Sequence, residues 1–485
     1  MAGVAGAVPF PSLRASVPAA SHRSPDSPVG RARNVIFYAW DGFGWEDLGT
    51  ARFFADRHEN GRVLALERLL SGGASGMMLP HSLSSIVTDS AAASAAWATG
   101  RKIMNGELSR YPDGTPLTTI LELARDRGRA TGLVTSTRLT HATPAAWIAR
   151  VDDRDKEDEI ALQYLDFAPD VLLGGGSRHF DAARRADGRD LFGEFAARGY
   201  QLLRDPDDLH RVTGSRLLGA FSQDHLPYEI DRRFQGVPSP TLAELTRTGL
   251  EVLSGGERGF LLQVEAGRID HANHQNDPAA MVRDVIAADD ALAVIIDFVD
   301  RNPDTVLILA SDHATGSGAV YGSGSRYADS NRDFDSLALR EASQELLLRR
   351  LGREPSAAEV RGAIDSLMKV RLSAGDAERA AESLARVTAP AHPHAHGNDR
   401  SRNLNFVLSS TESPEGTRLN FNYATGAHTA GPVPVLVYGA GTSAAGLGVV
   451  DNTELFGWML HALDIRFENP ALGTATAREL TAATG

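Results

Sequence analysis

Asn34-Val-Ile-Phe-Tyr-Ala-Trp40 is a short, largely apolar run rich in β-formers, ended at once by Asp41-Gly42. Such a run reads as a buried strand. The pattern recurs along the chain. Phe260-Leu-Leu-Gln-Val264 ends at Glu265, and Thr305-Val-Leu-Ile-Leu-Ala310 ends at Ser311-Asp312-His313. Thr131 to Ser136 leads into Thr140-His141-Ala-Thr143-Pro144, and Asp170 to Leu173 runs into three glycines. Ser75 to Leu79 and Val433 to Tyr438 read as further strands.

Helical spacing occupies the gaps. Leu117 to Arg127 stops at Gly128. Pro240 to Leu253 follows Ser239 as a candidate N-cap, Pro278 to Val299 is long, and Leu455 to Leu463 is last. Strands alternating with helices predict an α/β, doubly wound and mostly parallel sheet with helices on both faces. Between His313 and His428 the alternation breaks. Glycines lead into an Arg/Glu/Leu-rich helical stretch, about 337–384, with a capping box from Ser356 to Glu359. Residues 314–427 therefore read as an insertion that covers a site or forms an interface. Gly174-Gly175-Gly176-Ser177 lacks the Gly-Lys-Ser/Thr ending of a phosphate loop and reads as a turn.

In open parallel sheets the ligand crevice lies beyond the carboxyl ends of the strands. Asp41, His141, Thr143, Glu265, Asp312 and His313 all stand there. One acidic residue after a strand is usually a turn former; several at equivalent strand ends argue for a shared site. Asp270-His271-Ala-Asn-His274 adds a carboxylate and an imidazole four residues apart, on one face of a helix. With no cysteine in the chain, carboxylate and imidazole are the remaining zinc ligands. His428 lies in a Gly/Ala loop. His392, His394 and His396 sit in a Pro/Ala/Gly-rich stretch and read as a solvated loop. Val87-Thr88-Asp89-Ser90 precedes an alanine-rich run that ends at Gly100. Ser90 then lies at a helix N-terminus, where the backbone favours an anion. Asp89 or Ser90 alone would be read as a cap.

Thr88-Asp89-Ser90-Ala91-Ala92 resembles the nucleophile motif of the alkaline phosphatases. Asp41-Gly42, Thr140-His-Ala-Thr-Pro144, Glu265-Ala-Gly-Arg-Ile-Asp270, Asp312-His313 and His428-Thr-Ala-Gly431 resemble its other motifs, in order, over about residues 33 to 465. The resemblance implies two Zn2+ and one Mg2+. Asp270, His274 and His428 would hold the first zinc, and Asp41, Asp312 and His313 the second, facing Ser90. Asp41, Thr143 and Glu265 would hold the magnesium. Arg154 looks like the phosphate-clamping arginine. His141 and His271 stand where other members carry Asp and Lys, which implies water-mediated roles. Asp89 is placed beside them as a supporting residue. The implied reaction is hydrolysis of phosphate monoesters through a phosphoserine at Ser90. A phosphodiesterase of the same superfamily and a non-catalytic metal-binding scaffold are the alternatives. Small phosphate monoesters, inorganic phosphate as product and inhibitor, and a homodimer complete the implied partners. The insertion matches the family's variable crown region, so the core is expected at 33–313 and 428–478.

Composition is that of a globular protein: 485 residues, 42% hydrophobic and 23% charged. A net charge of −13 argues against a general nucleic-acid binder. No apolar run approaches the ~18 residues of a membrane span. Residues 1–32 carry prolines and serines without a basic start or a full apolar core. They read as a disordered leader or an export-signal remnant, and the resemblance implies a periplasmic or secreted protein.

Overall fold

The computed structural model describes residues 27–385, 399–411, 416–443, 446–474 and 476. His392, His394 and His396 and most of the expected leader lie outside them. The leader's last residues are packed, however. Val29 and Ala32 are buried, and Gly30 N–H donates to Ala440 O at 2.9 Å. Gly30 meets Gly441 so closely that a Cβ would stand 2.8 Å from its Cα. The packed chain thus begins before residue 33.

In chain order the strands are β1 (Asn34–Trp40), β2 (Ala74–Leu79), β3 (Ala130–Arg138), β4 (Val171–Gly175), β5 (Gln201–Leu203), β6 (Leu217–Ala220), β7 (Phe260–Ala266) and β8 (Thr305–Ala310). They continue as β9 (Ala314–Thr315), β10 (Gly318–Val320), β11 (Phe421–Tyr423), β12 (His428–Thr429), β13 (Val433–Gly439) and β14 (Gly448–Asp451). Ten form one sheet in the order β14-β2-β13-β8-β1-β7-β3-β4-β6-β5. Every pairing in it is parallel except those of β13, which runs antiparallel to both β2 and β8. The predicted doubly wound, mostly parallel sheet is therefore present. β1 shows why its run is apolar after Asn34. Val35, Phe37 and Ala39 join the hydrophobic core on one face, and Ile36, Tyr38 and Trp40 join the core on the other.

Helix boundaries follow capping chemistry. The helix expected from Pro240 runs over Leu242–Ser254 and is capped by Thr241, not Ser239. Thr241 Oγ1 accepts from Glu244 N–H while Glu244 Oε2 accepts from Thr241 N–H, at 3.1 and 2.8 Å. That reciprocal box outcompetes the lone serine before proline. Thr119 and Glu122 likewise start an earlier predicted helix at Ile120 rather than Leu117. Between β10 and β11 the helices Gln344–Leu351, Ala357–Met368 and Ala374–Ala385 surround a separate apolar cluster that includes Leu347, Val360, Ile364 and Ala380. Ser356 and Glu359 form the expected box. Among the described residues no helix is long and apolar enough to cross a membrane.

Candidate metal centre and nucleophile

Adjacent strands β8, β1, β7 and β3 deliver the predicted residues to one edge. Asp41 follows β1, Asp312 and His313 follow β8, and His141 and Thr143 follow β3. Glu265 departs from expectation: β7 continues to Ala266, so Glu265 is a buried residue inside the strand, paired in register with Ala39 and Thr135. Gly42 turns the chain after Asp41 with φ +72°. A Cβ there would lie 2.5 Å from Asp270 Cα. The close approach sets the helix Arg268–His274 against the β1 turn, and Gly42 N–H donates to Asp312 Oδ1 at 3.0 Å.

Ser90 opens a helix over Ser90–Thr99 whose residues are all buried. Such a helix needs small side chains, which explains its alanines. Asp89 caps it by accepting from Ala92 N–H at 2.9 Å, and Gly100 ends it in the left-handed region. Ser94 Oγ donates to Thr143 O at 2.7 Å and pins the helix to the β3 loop. Ser90 is 2% exposed, with Oγ 3.2 Å from His313 Nε2.

Ligand-capable atoms gather in three groups: Asp270, His274 and His428; Asp41, Asp270 and His313; and Asp41, His141 and Glu265. Asp312 adjoins the second, its Oδ2 3.1 Å from His313 Nε2. Thr143 Oγ1 donates to Asp41 Oδ2 at 3.2 Å, beside the third. The hydrogen bonds show that these groups suit cations. His274 Nδ1 faces Gly426 O, and His428 Nδ1 faces Thr88 O, each at 2.8 Å. A carbonyl only accepts, so each neutral ring carries its hydrogen on Nδ1. Both Nε2 lone pairs then point at each other across 2.9 Å, where a cation would satisfy both. Burial and the neighbouring His313 and His274 hold His428 well below the ordinary imidazole range, which disfavours a proton in that gap. Asp41 Oδ1 and Glu265 Oε1 are buried without a hydrogen-bond donor. Burial, with Asp312, Asp270 and Glu265 nearby, pushes the Asp41 carboxyl well above its usual range. A divalent cation relieves that crowding.

Arg154 lies 4% exposed, with Nη1 3.1 Å from Asp89 Oδ2 and Nη2 3.1 Å from His141 Nε2. Asp89, Arg154 and His141 thus form one line beside Ser90. His271 faces His141 with ring centroids 5.5 Å apart.

Several supporting residues have no sequence signal. Thr315 Oγ1 donates to Asp270 Oδ1 at 2.6 Å, and so receives His313 Nδ1–H at 3.2 Å, which turns Nε2 toward Ser90. Thr135 and Thr137 both donate to Glu265 Oε2. Asn105 accepts from Asp89 N–H and donates to Val87 O, bracing the loop before Ser90. His225 packs against His271 with ring centroids 4.2 Å apart.

Asp47 is buried beside this site, accepting from Gly44 N–H and Asn273 Nδ2 at 2.8 and 3.2 Å. Burial outweighs these bonds and pushes its carboxyl up to about 7. A folded value above the unfolded one means that stability is present at low pH and lost as pH rises through about 7. Asp47→Asn cannot ionise. Its melting temperature relative to the unmodified protein should climb between pH 5 and pH 8 (about two units below to one above that value). A flat difference across differential scanning calorimetry runs would contradict the assignment.

The alkaline phosphatase family profile matches residues 32–465. The chain is 38% identical over 316 residues to the repressible alkaline phosphatase of Saccharomyces cerevisiae, covering 59% of this chain and 55% of that protein. It is 29% identical over 464 residues to alkaline phosphatase 3 of Bacillus subtilis, covering 93% and 94% of the two chains. The fold superposes on the crystal structure of Thermus thermophilus alkaline phosphatase with a TM-score of 0.89 and 44% identity, across 94% of this chain and 97% of that one. The chain therefore spans about half the length of the yeast relative and nearly all of the two bacterial ones.

Proposed function

The chain belongs to the alkaline phosphatase family, and on that premise we propose that it hydrolyses phosphate monoesters to alcohol and inorganic phosphate through a phosphoserine at Ser90. The observation that carries this reading is the placement of Ser90 Oγ at a helix N-terminus, 3.2 Å from His313, a member of one of the three cation-suited groups. Asp270, His274 and His428 would hold one Zn2+, Asp41, Asp312 and His313 a second, and Asp41, Thr143 and Glu265 a Mg2+. Bound there, the ions supply positive charge that acidifies the serine hydroxyl and the attacking water and neutralises the departing alkoxide.

Ser90 Oγ forms the new bond to phosphorus as the bond to the alcohol oxygen breaks. The helix N-terminus behind it stabilises the phosphoryl charge. Arg154 presents its planar fork to two non-bridging oxygens, aimed by Asp89 and His141. Water then opens the phosphoserine, which restores Ser90 and releases phosphate. Arg154→Ala should raise KM by about 10- to 100-fold, the loss of roughly 1.5–3 kcal/mol of charge-assisted hydrogen bonding. Steady-state kinetics on an aryl phosphate checks it; an unchanged KM would remove Arg154 from the clamp.

The same reading takes residues 314–427 as an insertion on a 33–313 and 428–478 core. It makes inorganic phosphate an inhibitor as well as a product, and the protein an exported homodimer. Light scattering and cell fractionation test the last two. The test of function is turnover of a chromogenic phosphomonoester at alkaline pH, before chelation, after it, and after zinc and magnesium are restored. Loss with chelator and recovery with both metals is expected. A folded protein that ignores monoesters in every metal state, while cleaving diesters, sinks the proposal in favour of a phosphodiesterase.

A further inference from the structure

We propose that Arg268 and Glu345 are positioning residues through which the inserted region holds His271, and with it the ring cluster beside Arg154, against the phosphate site. The inference rests on the phosphatase reading above.

Arg268 lies in the first turn of the helix Arg268–His274 and is 4% exposed. Its guanidinium sits 3.7 Å from the centroid of the Tyr228 ring. Nη2 pairs with Glu345 Oε2 at 2.9 Å, and Nη1 lies 2.9 Å from His271 Nδ1. An arginine only donates, so His271 offers Nδ1 as the acceptor and its ring plane is set by the fork. The His271 ring packs 4.2 Å from His225 and 5.5 Å from His141, and His141 Nε2 lies 3.1 Å from Arg154. A contiguous path thus runs from Glu345 to the clamp.

Glu345 belongs to the helix Gln344–Leu351, inside residues 314–427. That helix is seated on the core without it. Ser343 donates its N–H and Oγ–H to Asp231 at 2.7 and 2.6 Å, and Gln344 N–H donates to Asp277 Oδ2 at 2.6 Å. Glu345 accepts in addition from Gln275 Nε2 at 3.4 Å and from Arg349 Nη2 at 2.7 Å, and so presents a fixed carboxylate to Arg268. A buried guanidinium that loses its carboxylate seeks other acceptors, and His271 loses its anchor with it.

The test uses the metal-loaded full chain as Glu345→Gln, His271→Ala and the double variant, read by KM, kcat and the inhibition constant of inorganic phosphate. Glu345→Gln should raise KM and the inhibition constant about tenfold, with kcat changed less than about twofold, because ground-state and transition-state binding weaken together. In the His271→Ala background the same change should add less than about twofold. An unaltered Glu345→Gln enzyme overturns the inference. So does an equal loss in both backgrounds, which would make Glu345 a general structural support. Unmodified protein that turns over monoesters while the variants behave in either of those ways isolates the failure to this inference. Unmodified protein without turnover defeats the phosphatase reading and this inference together.

Discussion

Ser90→Ala should lower kcat on an aryl phosphate by a factor on the order of 10^5 and leave no acid-stable phosphoryl label on the protein. The fold gives this variant an unusually clean reading. Alanine is the best helix former, the Asp89 cap is untouched, and the neighbouring positions are already alanine. The substitution removes the hydroxyl that faces His313 and leaves the backbone as it was. The proposed clamp at Arg154 is untouched, so phosphate affinity should stay within a few-fold. Rapid quench with a radiolabelled ester measures the label, and inhibition by inorganic phosphate measures the affinity. A variant that keeps a tenth of normal turnover would remove the serine from the chemistry.

Asp41→Asn should be nearly as damaging, with a second signature in stability. Asp41 belongs to two of the three ligand groups, and Asp270, His274 and His428 make the third without it. Bound metal should therefore fall toward one ion per chain, and turnover by a factor on the order of 10^3 or more. Without metal the sign reverses. Burial, together with Asp312, Asp270 and Glu265, holds the Asp41 carboxyl well above its usual range. Its stability is present below the unfolded value of about 3.9 and is lost as pH rises. Asparagine bears no such charge. After chelation at pH 8 the variant should melt above the unmodified protein, and below it once metals are restored. Elemental analysis and paired melting curves check both halves. Identical melting order in the two metal states would show that crowded carboxylates are not what the cations relieve.

The long strands are legible in the sequence because each is apolar on both faces, as β1 is with alternate residues in two cores. β5 and β6, three and four residues long, carry too little pattern to be read. The helix Trp45–His58 escapes a sequence reading for another reason: it exposes Phe53 and buries Asp47, which blurs its apolar stripe. The direction of β13 is equally hidden, since orientation depends on what the chain does between His313 and Val433. In the candidate site, residues at strand ends can be found one by one. Thr315, Asn105 and His225 cannot, because each acts through a partner that only folding brings near. Arg268 stands inside a recognisable motif, yet Glu345, 77 positions further on, has no signal.

β13 also has a consequence for how the molecule is born. It fills the slot between β2 and β8, yet it follows every other strand of the sheet except β14 along the chain. A nascent chain that has emerged only to residue 427 has no His428, and it leaves the facing edges of β2 and β8 open to any other strand. Such an intermediate is sticky and cannot complete the Asp270–His274–His428 group. Completion of that one group therefore waits for His428, and truncations before β13 should yield aggregates, not weakly active fragments.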